Sequence, residues 1–345
     1  MEGASAAQKS TIILTRPKSQ VARQPWAHLL AGASGGLVTA VLTSPLDVLR
    51  TRLQSDFYQT TSRSAQVLHP APQPTFSRHL WSSFSHIRET LQIVNSIHYT
   101  EGWRGFFRGL GPSLAGVVPA TAIKFYVYGN CKHLGARLFN RAEDDPMIHA
   151  QAAIAAGIAT ATLTNPIWLV KTRLQLDKAR TQANGIAARQ YRNSLDCLRQ
   201  VVRTEGIGGL YRGLSASYLG TVETAMHLVM YERLKVMIRY GLGGNNASLG
   251  ELETWISTSG AAGSAKLAAV LITYPHEVVR TRLRQAPLEN GKPRYTGLVH
   301  CFQSVWRSER LSGLYGGLTP HLVRSIPSAV ITLGVYEFVL RLYGS

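Results

Sequence analysis

The sequence predicts an all-α membrane protein made of three tandem repeats of about 100 residues, each contributing two long helical segments. Three observations carry this expectation. A proline motif recurs as "SPLDVLRTRLQ" (44–54), "NPIWLVKTRLQ" (165–175) and "YPHEVVRTRLR" (274–284). A second landmark follows each copy: "EGWRGFFRG" (101–109), "EGIGGLYRG" (205–213) and "ERLSGLYGG" (309–317), with Glu101, Glu205 and Glu309 spaced 104 residues apart both times. Stretches of small and apolar residues, long enough for a membrane span of roughly 20 residues, precede each proline and follow each second landmark.

Residues 1–24 hold a short apolar run without a signal-peptide pattern and read as a flexible leader. The repeats then run over 25–140, 141–243 and 244–345. Their first segments are "LLAGASGGLVTAVLTS", "AQAAIAAGIATATLTN" and "STSGAAGSAKLAAVLIT". Gly32 and Gly36, and Ala153 and Gly157 at the equivalent places, allow close approach of helix backbones. Proline to glutamate is 56 residues in the first repeat, 39 in the second and 34 in the third. The extra length, 55–86, is rich in Ser, Gln, His and Pro and reads as a loop insertion. A short amphipathic helix such as "LDCLRQVVRTEG" links the two segments of a repeat. The second segments are "LGPSLAGVVPATAIKFYVY", "LSASYLGTVETAMHLVMY" and "LTPHLVRSIPSAVITLGVY".

The 345 residues carry 37 Lys+Arg against 19 Asp+Glu, a net charge of +18, which suits an anionic partner: nucleic acid, anionic lipid or a phosphorylated small molecule. A mean hydropathy of −0.02 conceals the pattern, because the charges cluster and leave long uncharged gaps. The three cysteines, Cys131, Cys197 and Cys301, match neither a metal spacing nor a disulfide framework. "GASGG" at 32–36 fits a hydrolase nucleophile pattern but lies in a helical small-residue stretch, where no strand-to-helix elbow forms. No phosphate loop, zinc signature or dinucleotide fingerprint is present, so the expectation is a protein that is no enzyme and needs no cofactor or metal. A nucleic-acid binder would gather its charge into one stripe, whereas here bases recur at repeat-equivalent sites. A soluble helical repeat protein conflicts with the span lengths and the internal prolines. A membrane receptor that transports nothing is the remaining rival outside enzymes.

A proline inside a helix removes a hydrogen bond and kinks the chain. Two places after it stand Asp47, Trp168 and Glu277; five places after it stand Arg50, Lys171 and Arg280. Acid and base lie three apart, hence on one face. Charges in a bundle cost about 2.5–3.5 kcal/mol each unless paired or wetted, so a ring of mutually paired charges makes a gate.

This tripled pattern resembles the mitochondrial carrier family over roughly 26–341. The resemblance implies a six-helix, pseudo-threefold bundle in the mitochondrial inner membrane, with short amphipathic helices on the matrix side, moving solutes by alternating access. It implies a matrix gate in which Asp47 pairs with Lys171 and Glu277 with Arg50, while Arg280 lacks an acid because its partner position is Trp168. Gln54 and Gln175 would brace this layer, with Arg284 departing from the pattern at the third place. "ERLSGLYGG" departs too, with Arg310 for glycine and Gly316 for a base. A cytoplasmic gate is implied at Tyr128, Lys132, Tyr231, Glu232, Lys235, Tyr336 and Glu337, with Glu337–Lys132 as its one complete pair. The unliganded protein is therefore expected to rest open toward the cytoplasmic side.

The same resemblance places substrate contacts at Gly116, Leu219 with Gly220, and Arg324. Lys124, Glu223 and Lys266 join them as charges within spans; Arg324, Lys124 and Lys266 suit phosphate oxygens. A Lys266–Glu223 strut is the structural alternative. Trp168 sits one turn from the gate bases, where an indole stacks on a planar base or a guanidinium. "NPIWLVKTRLQLD" and "YPHEVVRTRLRQAPLENGK" look most like the mitochondrial pyrimidine nucleotide carriers, with NAD, FAD or folate carriers as the alternative. The implied partners are nucleotide substrates and anionic lipid such as cardiolipin, with the chain acting as a monomer and binding no nucleic acid.

Overall fold

The computed structural model describes residues 25–55, 91, 93–142, 145–177, 180–181, 187–188, 190–241, 251–287 and 293–343. The leader and the 56–86 part of the loop insertion lie outside them. Pro45 stands in the first turn of α2 (Ser44–Gln54), where its missing N–H costs no helical bond. The chain therefore breaks at Thr43, and α2 bends 67° from α1 (Pro25–Leu42). The other two prolines sit inside continuous helices: Pro166 in α4 (Pro146–Leu176) and Pro275 in α7 (Glu251–Leu283). Helix α3 (Leu110–Leu138) precedes α4, α5 (Ser194–Gly209) and α6 (Leu214–Gly241) lie between α4 and α7, and α8 (Leu298–Leu314) and α9 (Leu318–Tyr343) follow. A two-residue ribbon, β1 (Arg180–Thr181) against β2 (Ala187–Ala188), decorates the loop after α4.

The long helices form a ring in the order α1, α3, α4, α6 and α7. It closes where Val270, Tyr274 and Val278 of α7 meet Leu318 and Leu322 of α9, which itself packs on α1. Among the described residues, 103–138, 146–176 and 318–342 are long and apolar enough to cross a membrane, and α1 with α2 makes a fourth if the bent pair counts as one span. Helices α6 and α7 have the length, 28 and 33 residues, but their charged and hydroxyl side chains lower their hydropathy. Leu163, Val229, Ile272, Val330 and Phe338 are exposed on this ring. An apolar belt of that kind belongs against lipid.

The packed core sits at one end, called the inner end below, and repeats threefold. Val48 and Leu49 meet Ile97 and Phe106; Leu169, Val170 and Leu174 meet Cys197 and Val201; Val279 and Leu283 meet Cys301, Val305 and Leu314. The amphipathic link expected around 195–206 is α5, which turns Cys197 and Val201 inward. Burial pushes the Cys197 thiol up to about 12 and the neighbouring Tyr191 phenol likewise to about 12, so both stay protonated.

The second landmark has a backbone reason. Gly109, Gly213 and Gly317 end the aromatic–x–Gly triplets with φ of 76°, a left-handed turn into the following helix. Glycines 102 and 206 also have positive φ, 66° and 73°, and the third repeat places Arg310 there at φ 55°, ψ −143°. That region is nearly glycine-only and costs a side-chain-bearing residue about 1–3 kcal/mol. Arg310→Gly should raise the thermal unfolding midpoint of the purified protein, while Gly206→Arg should lower it. An unchanged midpoint for Arg310→Gly would remove strain as the explanation.

Candidate functional site

A cavity of about 770 Å³ runs from the inner end toward Tyr128 inside the ring. The floor is made by the residues that follow each proline. Arg50 donates to Glu277, joining α2 to α7. Lys171 Nζ lies 3.1 Å from Asp47 Oδ2, joining α4 to α2. Each of these four side chains is at most 17 % exposed, so the pairs are well shielded and leave no carboxylate unmatched.

Arg280 departs from expectation. It is not without an acid: its Nη2 reaches Glu277, three residues earlier on α7, and shares the oxygen that holds Arg50. A carboxylate offers about four lone-pair sites, so one acid serves two guanidiniums. Asp47 is doubly used as well, its second oxygen 3.0 Å from Arg324 Nη1. Trp168 holds its indole by donating Nε1–H to Thr164 Oγ1 at 2.8 Å, with Lys171 Nζ 5.2 Å from the ring centre.

Beneath the ion pairs, Thr51 donates to Gln175 at 2.8 Å and Thr281 to Gln54 at 2.7 Å, while Gln54 Nε2 donates to the Tyr274 hydroxyl at 3.0 Å. At the third place Arg284 Nη2 donates to Asn165 Oδ1 at 2.7 Å and Ser217 Oγ at 3.0 Å. A further interlock lies beyond what the sequence predicts. Arg52, Arg173 and Arg282, seven places after each proline, donate Nε to the backbone oxygens of Gln175, Arg284 and Gln54 in the neighbouring repeat. The same guanidiniums bind the glutamate of their own second landmark: Arg52 to Glu101, Arg173 to Glu205 and Arg282 to Glu309. Both partners stand out in the sequence as repeated residues; only the fold shows that they meet.

Higher on the wall stand Lys124, Gly220, Glu223 and Arg324. Three expected substrate contacts lie elsewhere. Gly116 is buried, and a Cβ there would come within 3.0 Å of Ile167 and 3.5 Å of Trp168, so it makes room for the tryptophan instead of facing the cavity. Leu219 is 40 % exposed but off the cavity wall; one helical step turns Gly220 inward in its place. Lys266 is also off the wall, its Nζ 2.6 Å from Glu223 Oε1, which is the strut expected as its structural role. At the far end Tyr128 meets His149 Nδ1 at 2.5 Å. Glu337 is exposed, with Arg341 at 4.0 Å; Lys132 and Tyr336 lie on the described parts of α3 and α9. The side chains of Tyr231, Glu232 and Lys235 lie outside the described residues. Glu223, His276 and Glu277 approach one another within 4.8 Å, but both carboxylates already hold cations, so their charge is spoken for.

Comparison with known proteins shows what the chain as a whole is similar to. The family model described as mitochondrial carrier protein matches residues 22–137, 142–241 and 252–345. The chain is 46 % identical, over 92 % of its length and 86 % of the relative's, to the mitochondrial pyrimidine nucleotide transporter RIM2 of Saccharomyces cerevisiae. It is 44 % identical to the mitochondrial carrier protein rim2 of Schizosaccharomyces pombe, over 98 % of this chain and 96 % of that one. It is 39 % identical to solute carrier family 25 member 36 of Gallus gallus, over 93 % and 98 %. Three family matches, one per repeat, and an all-helical ring closed at its inner end show that the chain belongs to the mitochondrial carrier family, as a multi-pass protein of the mitochondrial inner membrane.

Proposed function

We propose that this carrier exchanges pyrimidine nucleoside and deoxynucleoside phosphates between cytosol and matrix by alternating access, acting as a monomer and leaving its cargo chemically unchanged. The observation that carries this reading is the 46 % identity, across nearly the whole chain, to a relative named as a pyrimidine nucleotide transporter. The cavity lining supports it by residue type: an indole, Trp168, beside Lys171, with Arg280 and Arg324 on the same wall, is the kind of chemistry that holds a planar base and its phosphates.

In this reading the closed inner layer of Asp47, Arg50, Lys171 and Glu277, braced by Gln54 and Gln175, is the matrix gate. Tyr128, Lys132, Tyr231, Glu232, Lys235, Tyr336 and Glu337 form the cytoplasmic gate. A phosphate entering from the cytosol draws Arg324 from Asp47, and with it loosens the Asp47–Lys171 pair. A ligand shifts such an equilibrium only by its differential affinity for the two states, and the phosphate supplies it by exchanging partners at the floor. The surplus of +18 steers nucleotides in and favours anionic lipid, cardiolipin above all, at the helix starts after "FRG" and "YRG".

Purified protein in liposomes tests the proposal. Loaded with a pyrimidine nucleotide, it should exchange external pyrimidine nucleotides at least tenfold faster than purine nucleotides, NAD, FAD or folate. Exchange confined to NAD, FAD or folate, or to no nucleotide, would overturn it.

A further inference from the structure

We propose that Arg280 and Arg284 form the subsite for the terminal phosphates of the substrate, at the one repeat interface where Trp168 removes a carboxylate. The inference rests on the nucleotide reading above. Two of the three interfaces at the inner end carry an ion pair between helices, Asp47–Lys171 and Glu277–Arg50. The third, between α4 and α7, has Trp168 at the acid position. There α7 places Arg280 on the cavity wall, and Arg284 stands one turn further along the chain on the same wall.

Their counter-charges are incomplete. Arg280 depends on Glu277, whose same oxygen also holds Arg50. Arg284 forms no salt bridge among the described residues. It is 7 % exposed, its Nη2 bonds the neutral Asn165 and Ser217, and its Nε has no hydrogen-bond partner among the described residues. A buried guanidinium without an anion is costly. The equivalent places in the other repeats hold Gln54 and Gln175, which impose no such demand, so the unmatched charge belongs to this interface alone. Across the whole wall six basic side chains face three acidic ones. Phosphate suits this place: it carries the negative charge and accepts the forked hydrogen bonds of a guanidinium. The substrate would thus bring the third acid with it, and would separate Arg284 from Asn165 as it binds.

The probe is inorganic tripolyphosphate, read by the thermal unfolding midpoint of the purified protein, together with liposome exchange of a pyrimidine nucleoside monophosphate and triphosphate. Tripolyphosphate should stabilise the wild type and lose most of that effect on Arg284→Gln, which installs the residue type of the other two repeats. The ratio of triphosphate KM to monophosphate KM should rise about tenfold in the same variant. Arg284→Gln stabilised as fully as wild type, or an unchanged KM ratio, overturns the subsite. Should Arg284→Gln not fold, Arg284→Lys carries the test: it keeps charge and loses the fork, so stabilisation should weaken without vanishing, and undiminished stabilisation overturns the proposal. A wild type that exchanges no nucleotide yet is stabilised through Arg284 would overturn the nucleotide reading and uphold the anion subsite. Nucleotide exchange with no dependence on Arg284 would do the reverse.

Discussion

Replacing Arg52 by alanine should destabilise the protein by about 3–5 kcal/mol, the cost of leaving one member of a buried pair without its partner. The side chains of Arg52 and Glu101 are 1 % and 0 % exposed, with Nη2 2.9 Å from Oε2, and Arg52 Nε also donates to the Gln175 backbone oxygen at 3.0 Å. The substitution therefore takes a buried guanidinium from the Glu101 carboxylate and from the Gln175 carbonyl, and opens a cavity at the packed inner end. Removing both charges in Arg52→Met with Glu101→Gln should recover part of the loss, because the buried carboxylate goes together with its guanidinium. Thermal unfolding of the purified variants measures both effects. A single variant that melts with the wild type would show that this pair holds nothing together.

Trp168→Asp should slow exchange about tenfold, the effect of roughly 1.4 kcal/mol added to the barrier for opening. The new carboxylate would stand where the two other repeats carry Asp47 and Glu277, and would give Arg280 an acid across the α4–α7 interface. The closed layer would then have three ion pairs between helices. Loss of the indole also removes the ring beside Lys171 and the hydrogen bond to Thr164. Trp168→Phe separates the two effects: it lacks the carboxylate and keeps a ring. If the aspartate variant turns over as fast as wild type, position 168 does not govern the gate. If the phenylalanine variant slows equally, the loss lies in the indole contacts and not in an added pair.

The threefold parts of this molecule are readable in its sequence because each residue type appears at the same offset in every repeat. The prolines, the bases after them, the acid kept in two of the three copies and the glutamates of the second landmark mark the inner end in the sequence itself. What escapes is asymmetry. Cyclic pairing assigns one base to one acid, so it leaves Arg280 alone and Arg324 free, whereas Glu277 and Asp47 each hold two cations. Register is the second loss. Leu219 and Gly220 differ by one position, yet about 100° of helix rotation sets one off the wall and the other on it. Gly116 misleads because a glycine that admits a neighbour and a glycine that admits a ligand look alike in a sequence. The pairing of Arg52, Arg173 and Arg282 with the glutamates needs the fold, since it joins residues 49, 32 and 27 positions apart.

Those three arginines impose a rule on movement. Each is clamped to a glutamate of its own repeat and to the main chain of the adjacent one, so the set forms an unbroken hoop around the inner mouth. No single third can swing outward without pulling on its neighbour's carbonyl. In the exchange cycle proposed above, opening would therefore be concerted, and a state with one third displaced and two at rest should be too scarce to trap.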